Sequence, residues 1–304
     1  MIATIATHQL VALRRQRVFA ALLASFVLIS ALAGLLGWSS NHTIGRVYDE
    51  AAKLMTATGQ PAPANPFLLK PALSLLSNMV VYVPLIGALF ALVLGHLSVV
   101  EDEASGLGRL LFSRHITRTQ YAMGKVTSAA TALAIALGAS LIVSTLSLLV
   151  VNHGLAVSEV VRLGLFYSLS WLYLMSFVLI GIIAVLVTRR RSLALLSAMG
   201  AWLVITFVVP QFTSGLRPTQ SLNPIIEPIG TSQKFFQITA HGQPFSVVEQ
   251  YKATAAVILN TAPNESTGQL VLRLLPVAAL AAILLLITLA LVQRHDFSRS
   301  ASNE

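Results

Sequence analysis

Six stretches of about twenty or more predominantly apolar residues constrain this chain more than any other feature. They run roughly Val18–Trp38, Leu73–Val99, Ala122–Val151, Arg162–Val187, Ser192–Pro210 and Gln269–Val292. A helix rises about 1.5 Å per residue, so crossing a hydrocarbon core about 30 Å thick takes about twenty apolar residues. The composition agrees. The chain has 304 residues, 56% hydrophobic and 10% charged, where soluble domains carry about 25% charge. So apolar a chain cannot hide its surface within itself, and the surplus faces lipid. The expected fold is all-α: one polytopic integral membrane domain over 1–304 with six transmembrane helices. Pro84 and Asn78 are expected to kink the second span, since proline removes a backbone donor. The other five are expected to run uninterrupted.

The first apolar run is longer than the roughly 7–15 residues of a signal-peptide core, so an uncleaved first span is expected. Orientation follows from the Lys/Arg bias. With the N-terminus inside, the inner segments hold Arg14, Arg15, Arg17, Arg109, Arg114, Arg118, Lys125, Arg189, Arg190, Arg191, Arg294 and Arg299. The longer outer segments hold the other eight basic residues, so both termini read as cytoplasmic. Residues 1–17 read as a cytoplasmic amphipathic helix, with Ile2, Ile5, Ala6, Leu10 and Leu13 on one face. Residues 39–72 and 211–268 read as outer loops and 100–121 as a cytoplasmic loop. Within the second outer loop, Val248, Tyr251, Ala255, Ile258 and Leu259 share a helical face. That helix lies at the membrane surface or packs on the spans.

The chemistry is mostly excluded by absences. There is no cysteine, hence no disulfide and no thiolate ligand or nucleophile. Gly124-Lys125 lacks the upstream glycine and following Ser/Thr of a phosphate loop. The seven histidines show no metal-ligand spacing. No Asp, Glu, Lys or Arg lies near the middle of any span. Ion-coupled carriers and intramembrane proteases keep such groups despite their cost. The expectation is a chain with no catalytic residue, no metal site and no cofactor of its own. If it moves anything, the energy comes from elsewhere. In the third span Ser128, Ala132, Ala136, Ser140 and Ser144 recur at four-residue steps, a spacing that lets helix backbones approach closely in lipid.

The segment "EDEASGLGRLLFSRHITRTQYAMGK", Glu101–Lys125, interrupts the apolar runs. It opens on Glu101, Asp102 and Glu103 and continues through an apolar ridge of Leu107, Leu110, Leu111 and Phe112. By physics alone it is a short helix along the membrane, anionic at its start, or a charged loop with snorkelling arginines. Its motif resembles the cytoplasmic loop of ABC-2-type transporter permeases, particularly the subgroup with the membrane subunit of the nitrous-oxide-reductase copper-maturation system. The matching positions are Glu103, Gly106, Leu110-Leu111, Ser113, Ile116-Thr117-Arg118 and Gly124-Lys125. The departures are Leu107-Gly108 and His115, where the family carries Thr-Leu and proline. "HQLVALRRQRVFAAL" is similar to the same family's N-terminal helix, with Gln9 in place of its usual acid.

The resemblance implies a coupling helix between spans two and three, seated in a cleft of a separate ABC ATPase subunit. Two permeases and two ATPases would assemble, with ATP and Mg held on the partner ATPase. Docking would then fall to Glu101, Asp102, Glu103, Gly106, Leu107, Leu110 and Leu111. Arg114 and Arg118 would pair with ATPase acids or lipid phosphates. The implied function is the membrane subunit of an ABC transporter, driving export or mechanical transmission across a bacterial or archaeal plasma membrane. A second reading stays open: a non-transporting anchor or assembly factor that binds an extracytoplasmic partner through 211–268.

Overall fold

The computed structural model describes residues 2–15, 17–61, 71–105, 116–152, 154–188, 190–213, 238–239, 241–263 and 265–295. Among these residues there is no strand, and six helices are long and apolar enough to cross a membrane. An N-terminal helix, Ile2–Arg15, leads into the first span, Arg17–Ala57. The second span is composite. A 3-10 turn, Ala72–Leu76, is followed by Met79–Tyr82, a π-helical turn at Val83–Gly87 and the helix Ala88–Ser105. The third span is Arg118–Asn152 and the fourth Val157–Val187. The fifth joins Arg191–Leu203, a π-helical turn at Val204–Val208 and Val209–Thr213. A flanking helix, Val247–Ile258, precedes the sixth span, Thr267–Arg294.

Local chemistry explains several of these boundaries. The first helix was expected to end near Trp38, with 39–72 as loop. It continues through Ala57 because no Gly or Pro interrupts it between Gly45 and Thr58. It stops where Gly59 takes a left-handed φ of 77°, a conformation glycine adopts without a Cβ clash. Pro84 falls inside the π-turn of the second span, as a residue without an N–H must disturb the ladder. The fifth span was expected to be uninterrupted, yet it too carries a π-turn. The two irregular turns meet: Trp202 Nε1 donates to the Pro84 carbonyl at 3.3 Å. Ser266 caps the sixth span, and its hydroxyl accepts from the Gln269 N–H at 3.4 Å.

The fourth span is apolar on every side and sits at the centre. It packs on the second, third, fifth and sixth spans, and Phe166, Tyr173, Phe177 and Val178 on it are fully buried. An all-round apolar helix suits a central position. Its contact with the second span is the most extensive in the molecule. A Cβ placed on Gly95 would lie 2.0 Å from the Val178 carbonyl oxygen, and one on Gly181 would lie 2.2 Å from that of Leu92. Each backbone therefore presses into the other through a glycine.

The flanking helix packs on the spans. Val248, Tyr251, Ala255 and Leu259 are fully buried and Ile258 half-buried. The Tyr251 hydroxyl pairs with Ser170 at 2.9 Å, and its ring stacks on Tyr173 at 4.6 Å. At its other end Arg162 donates to Asn260 and lies 3.4 Å and 3.5 Å from the Val257 and Ile258 carbonyls. A guanidinium there meets the negative end of the helix dipole. Asn260 closes the helix at a φ of 56°, which asparagine tolerates.

Two outcomes follow. Gly181→Ala forces the second and fourth spans apart and costs about 1–3 kcal/mol or more, seen as a lowered unfolding temperature in detergent. Gly138→Ala, with nothing within 4 Å of its Cβ, leaves that temperature unchanged. Equal stability for both would rule out the glycine crossing as a stability determinant. Separately, Arg162→Ala accelerates amide exchange in 255–262 while exchange in the fourth span stays slow.

Candidate functional site

Five elements converge at one end of the bundle: the N-terminal helix, the end of the second span, the start of the third, and the last turns of the fourth and sixth. At their junction lies Lys125, only 2% exposed, whose ammonium donates to the Gln9 amide oxygen at 2.5 Å. Gln9 is itself buried, and its amide nitrogen lies 3.5 Å from the Ser98 carbonyl. The ammonium also stands 5.5 Å from the centre of the buried Tyr121 ring, within cation–π range. An ammonium taken out of water is costly unless hydrogen-bonded. The contacts that satisfy Lys125 thus also fasten the N-terminal helix onto the second and third spans.

The sixth span is tied into the same end. Arg118, exposed on the first turn of the third span, donates to the Gln293 carbonyl. His295 Nδ1 lies 3.1 Å from the Leu186 carbonyl at the end of the fourth span. With Nδ1 protonated this is a donor bond to a last-turn carbonyl. The helices that flank 106–117 are therefore each anchored to two or more others.

Glu101, Asp102 and Glu103 were expected to open a short helix. Their backbone instead belongs to the last turns of the second span, which runs to Ser105. Gly106, Leu107, Leu110, Leu111 and Arg114 lie outside the described residues.

On the third span Ser128, Ala132, Ala136, Ser140 and Ser144 are all fully buried. That span packs on the first and fourth spans within the chain. The Ser144 hydroxyl pairs with Tyr167 of the fourth span at 2.7 Å, and Trp171 Nε1 donates to the Ala130 carbonyl at 2.9 Å. This stripe is occupied inside the subunit, so it presents no surface to a second copy.

The Gln9–Lys125 pair was missed from sequence. Gln9 registered only as a missing acid, and Lys125 only as a motif position. The available signal was Gln9 one turn after Ile5 and Ala6, on the apolar face of the helix. Among the described residues no group of three His, Asp or Glu side chains converges on a metal-sized site.

The comparisons with known proteins fit this geometry. No curated relative matches the chain. The model of a family described as ABC-2 family transporter protein matches residues 3–296, nearly the whole length. It spans the N-terminal helix, all six long apolar helices and the end of the sixth at which Arg118 and His295 tie the bundle together. The chain belongs to the ABC-2 family of transporter proteins, and is a multi-pass membrane component of an ABC transporter.

Proposed function

We propose that this chain is a permease subunit whose Lys125 end faces the cytoplasm and receives a separate ABC ATPase, which holds ATP and Mg. The observation that carries the reading is the convergence at that end. The third span is fastened to the N-terminal helix by Gln9–Lys125 and to the sixth span by Arg118–Gln293, and the second span to the N-terminal helix by Gln9–Ser98. A force applied to the short connection therefore moves several spans together. Glu101, Asp102 and Glu103 supply an anionic approach, and Leu107, Leu110 and Leu111 an apolar ridge for a cleft on the partner. Arg114 completes the surface.

The orientation rests on the basic residues, which are denser in the short segments at this end. Two copies of the chain with two ATPases make the assembly, in a plasma membrane. Closure of the ATPase dimer draws the two connections together and rocks the spans, driving export or transmitting force to the outer side. The flanking helix is committed to the spans, which leaves 214–246 as the larger part of the outer loop for an outer partner.

Affinity purification with the co-expressed ATPase tests docking. Leu110→Asp with Leu111→Asp weakens the association about tenfold or more, equivalent to 1.4 kcal/mol or more. Lysine at 101, 102 and 103 together slows it and makes it less sensitive to salt. Unchanged co-purification with both variants, each still monodisperse, would refute the docking reading. Gln9→Ala removes a hydrogen bond to a charged group, about 1.5–3 kcal/mol. It leaves the ATPase bound, speeds amide exchange in residues 2–15 and lowers the stimulation of ATP turnover by the membrane subunit.

A further inference from the structure

The flanking helix is held to the fourth span at two places. Its C-terminal end meets Arg162, while the Tyr251 hydroxyl meets Ser170, eight residues further along the fourth span. Glu249, two residues before Tyr251, belongs to none of the six spans. It lines a groove of about 650 Å³ between the flanking helix and the sixth span.

One wall of the groove is the sixth span from Leu272 to Ile283, about 16 Å of helix. That is close to the depth of one leaflet of a core about 30 Å thick. Ala253 and Ala279 line it from opposite helices, and their short side chains leave the space open. Leu272 and Ile283 are 69% and 54% exposed, so the groove opens sideways to lipid.

Its polar groups are mostly acceptors. Arg273 is already neutralised by Glu265 at 2.5 Å. Glu249 forms no ion pair among the described residues, so the groove keeps one uncompensated negative charge. Gln250 spends one of its two amide N–H groups on the Gln243 carbonyl at 2.9 Å, and its oxygen remains an acceptor. Pro276 has no N–H to give the Leu272 carbonyl, which frees a further acceptor on the wall. A carboxylate and two neutral acceptors beside an apolar channel match a protonated amine on an apolar body.

We infer that this groove binds an amphiphilic amine from the adjacent leaflet, with its ammonium at Glu249 and its tail along the sixth span towards Ile283. The occupant is held by charge and burial together, so head and tail contributions are separable.

The test uses the full chain in lipid nanodiscs and two photoactivatable probes with the same dodecyl tail, one an ammonium and one a sulfate. The expected result is about tenfold more labelling of 247–258 and 270–283 by the ammonium probe. Glu249→Gln, nearly isosteric, abolishes that preference while the tail still labels. Ala279→Trp fills the groove and removes labelling by both, and Ala253→Leu replaces it if the tryptophan variant does not fold. Equal labelling by both probes in the unmodified chain would overturn the proposal, as would a preference that survives Glu249→Gln. Cross-links from the groove to a second copy of the chain would also overturn it, by making the groove an interface. No ATPase is needed, so the result is independent of the coupling reading.

Discussion

The arrangement of the bundle depends on the backbone crossing of the second and fourth spans. In lipid, apolar side chains gain little by leaving the tails for each other, so helices associate through close packing and a few hydrogen bonds. Gly95 and Gly181 allow the closest packing available, with each glycine against the other helix's carbonyls. Once that pair is fixed, the fourth span offers its remaining faces to the third, fifth and sixth. The hydroxyl pairs Ser144–Tyr167 and Ser170–Tyr251 then add directional contacts. Interhelical bonds of this kind are worth roughly 0.6 kcal/mol on average. They set rotation and register more than they set stability.

The near end is built on a different principle. There the fixed point is a buried ammonium, and the surrounding groups are arranged to satisfy it. Lys125 needs acceptors, and Gln9 supplies one only if the N-terminal helix docks. An amphipathic helix that could lie loosely on a membrane surface is thereby held against the bundle. Its apolar face alone would not select that site, since lipid satisfies the same face equally well.

Much of this fold was legible in the sequence because the bilayer imposes a length rule. The six spans, the disturbance at Pro84 and the buried face of Val248, Tyr251, Ala255 and Leu259 follow from run length, a missing donor and helical periodicity. What was not legible depends on context. The first helix continues to Ala57 through polar residues that permit either helix or loop. The π-turn at Val204–Val208 had a local signal in Pro210, which has no N–H for the Thr206 carbonyl; what was not legible is its partner, the irregular turn at Pro84, brought close only by the fold. Gln9–Lys125 joins residues far apart in sequence. The acids at 101–103 begin a charged segment when read along the chain, but the helix that holds them begins at Ala88.

The absence of charge from the spans carries a narrower meaning once the flanking helix is in place. Span composition speaks only for helices that cross the membrane. A short helix packed on the spans brings polar groups to the bundle without any long apolar run announcing them. Glu249 stands on such a helix, two positions before a tyrosine that stacks on the central span. The fourth span thus touches both polar regions: Leu186 faces His295 at one end, while Ser170 and Tyr173 hold the flanking helix towards the other. A helix packed on four neighbours cannot shift at one end without displacing what is attached along it. The groove wall formed by the flanking helix is attached to the fourth span, and the opposite wall is the sixth. Relative motion of those two spans would therefore change the width of the groove.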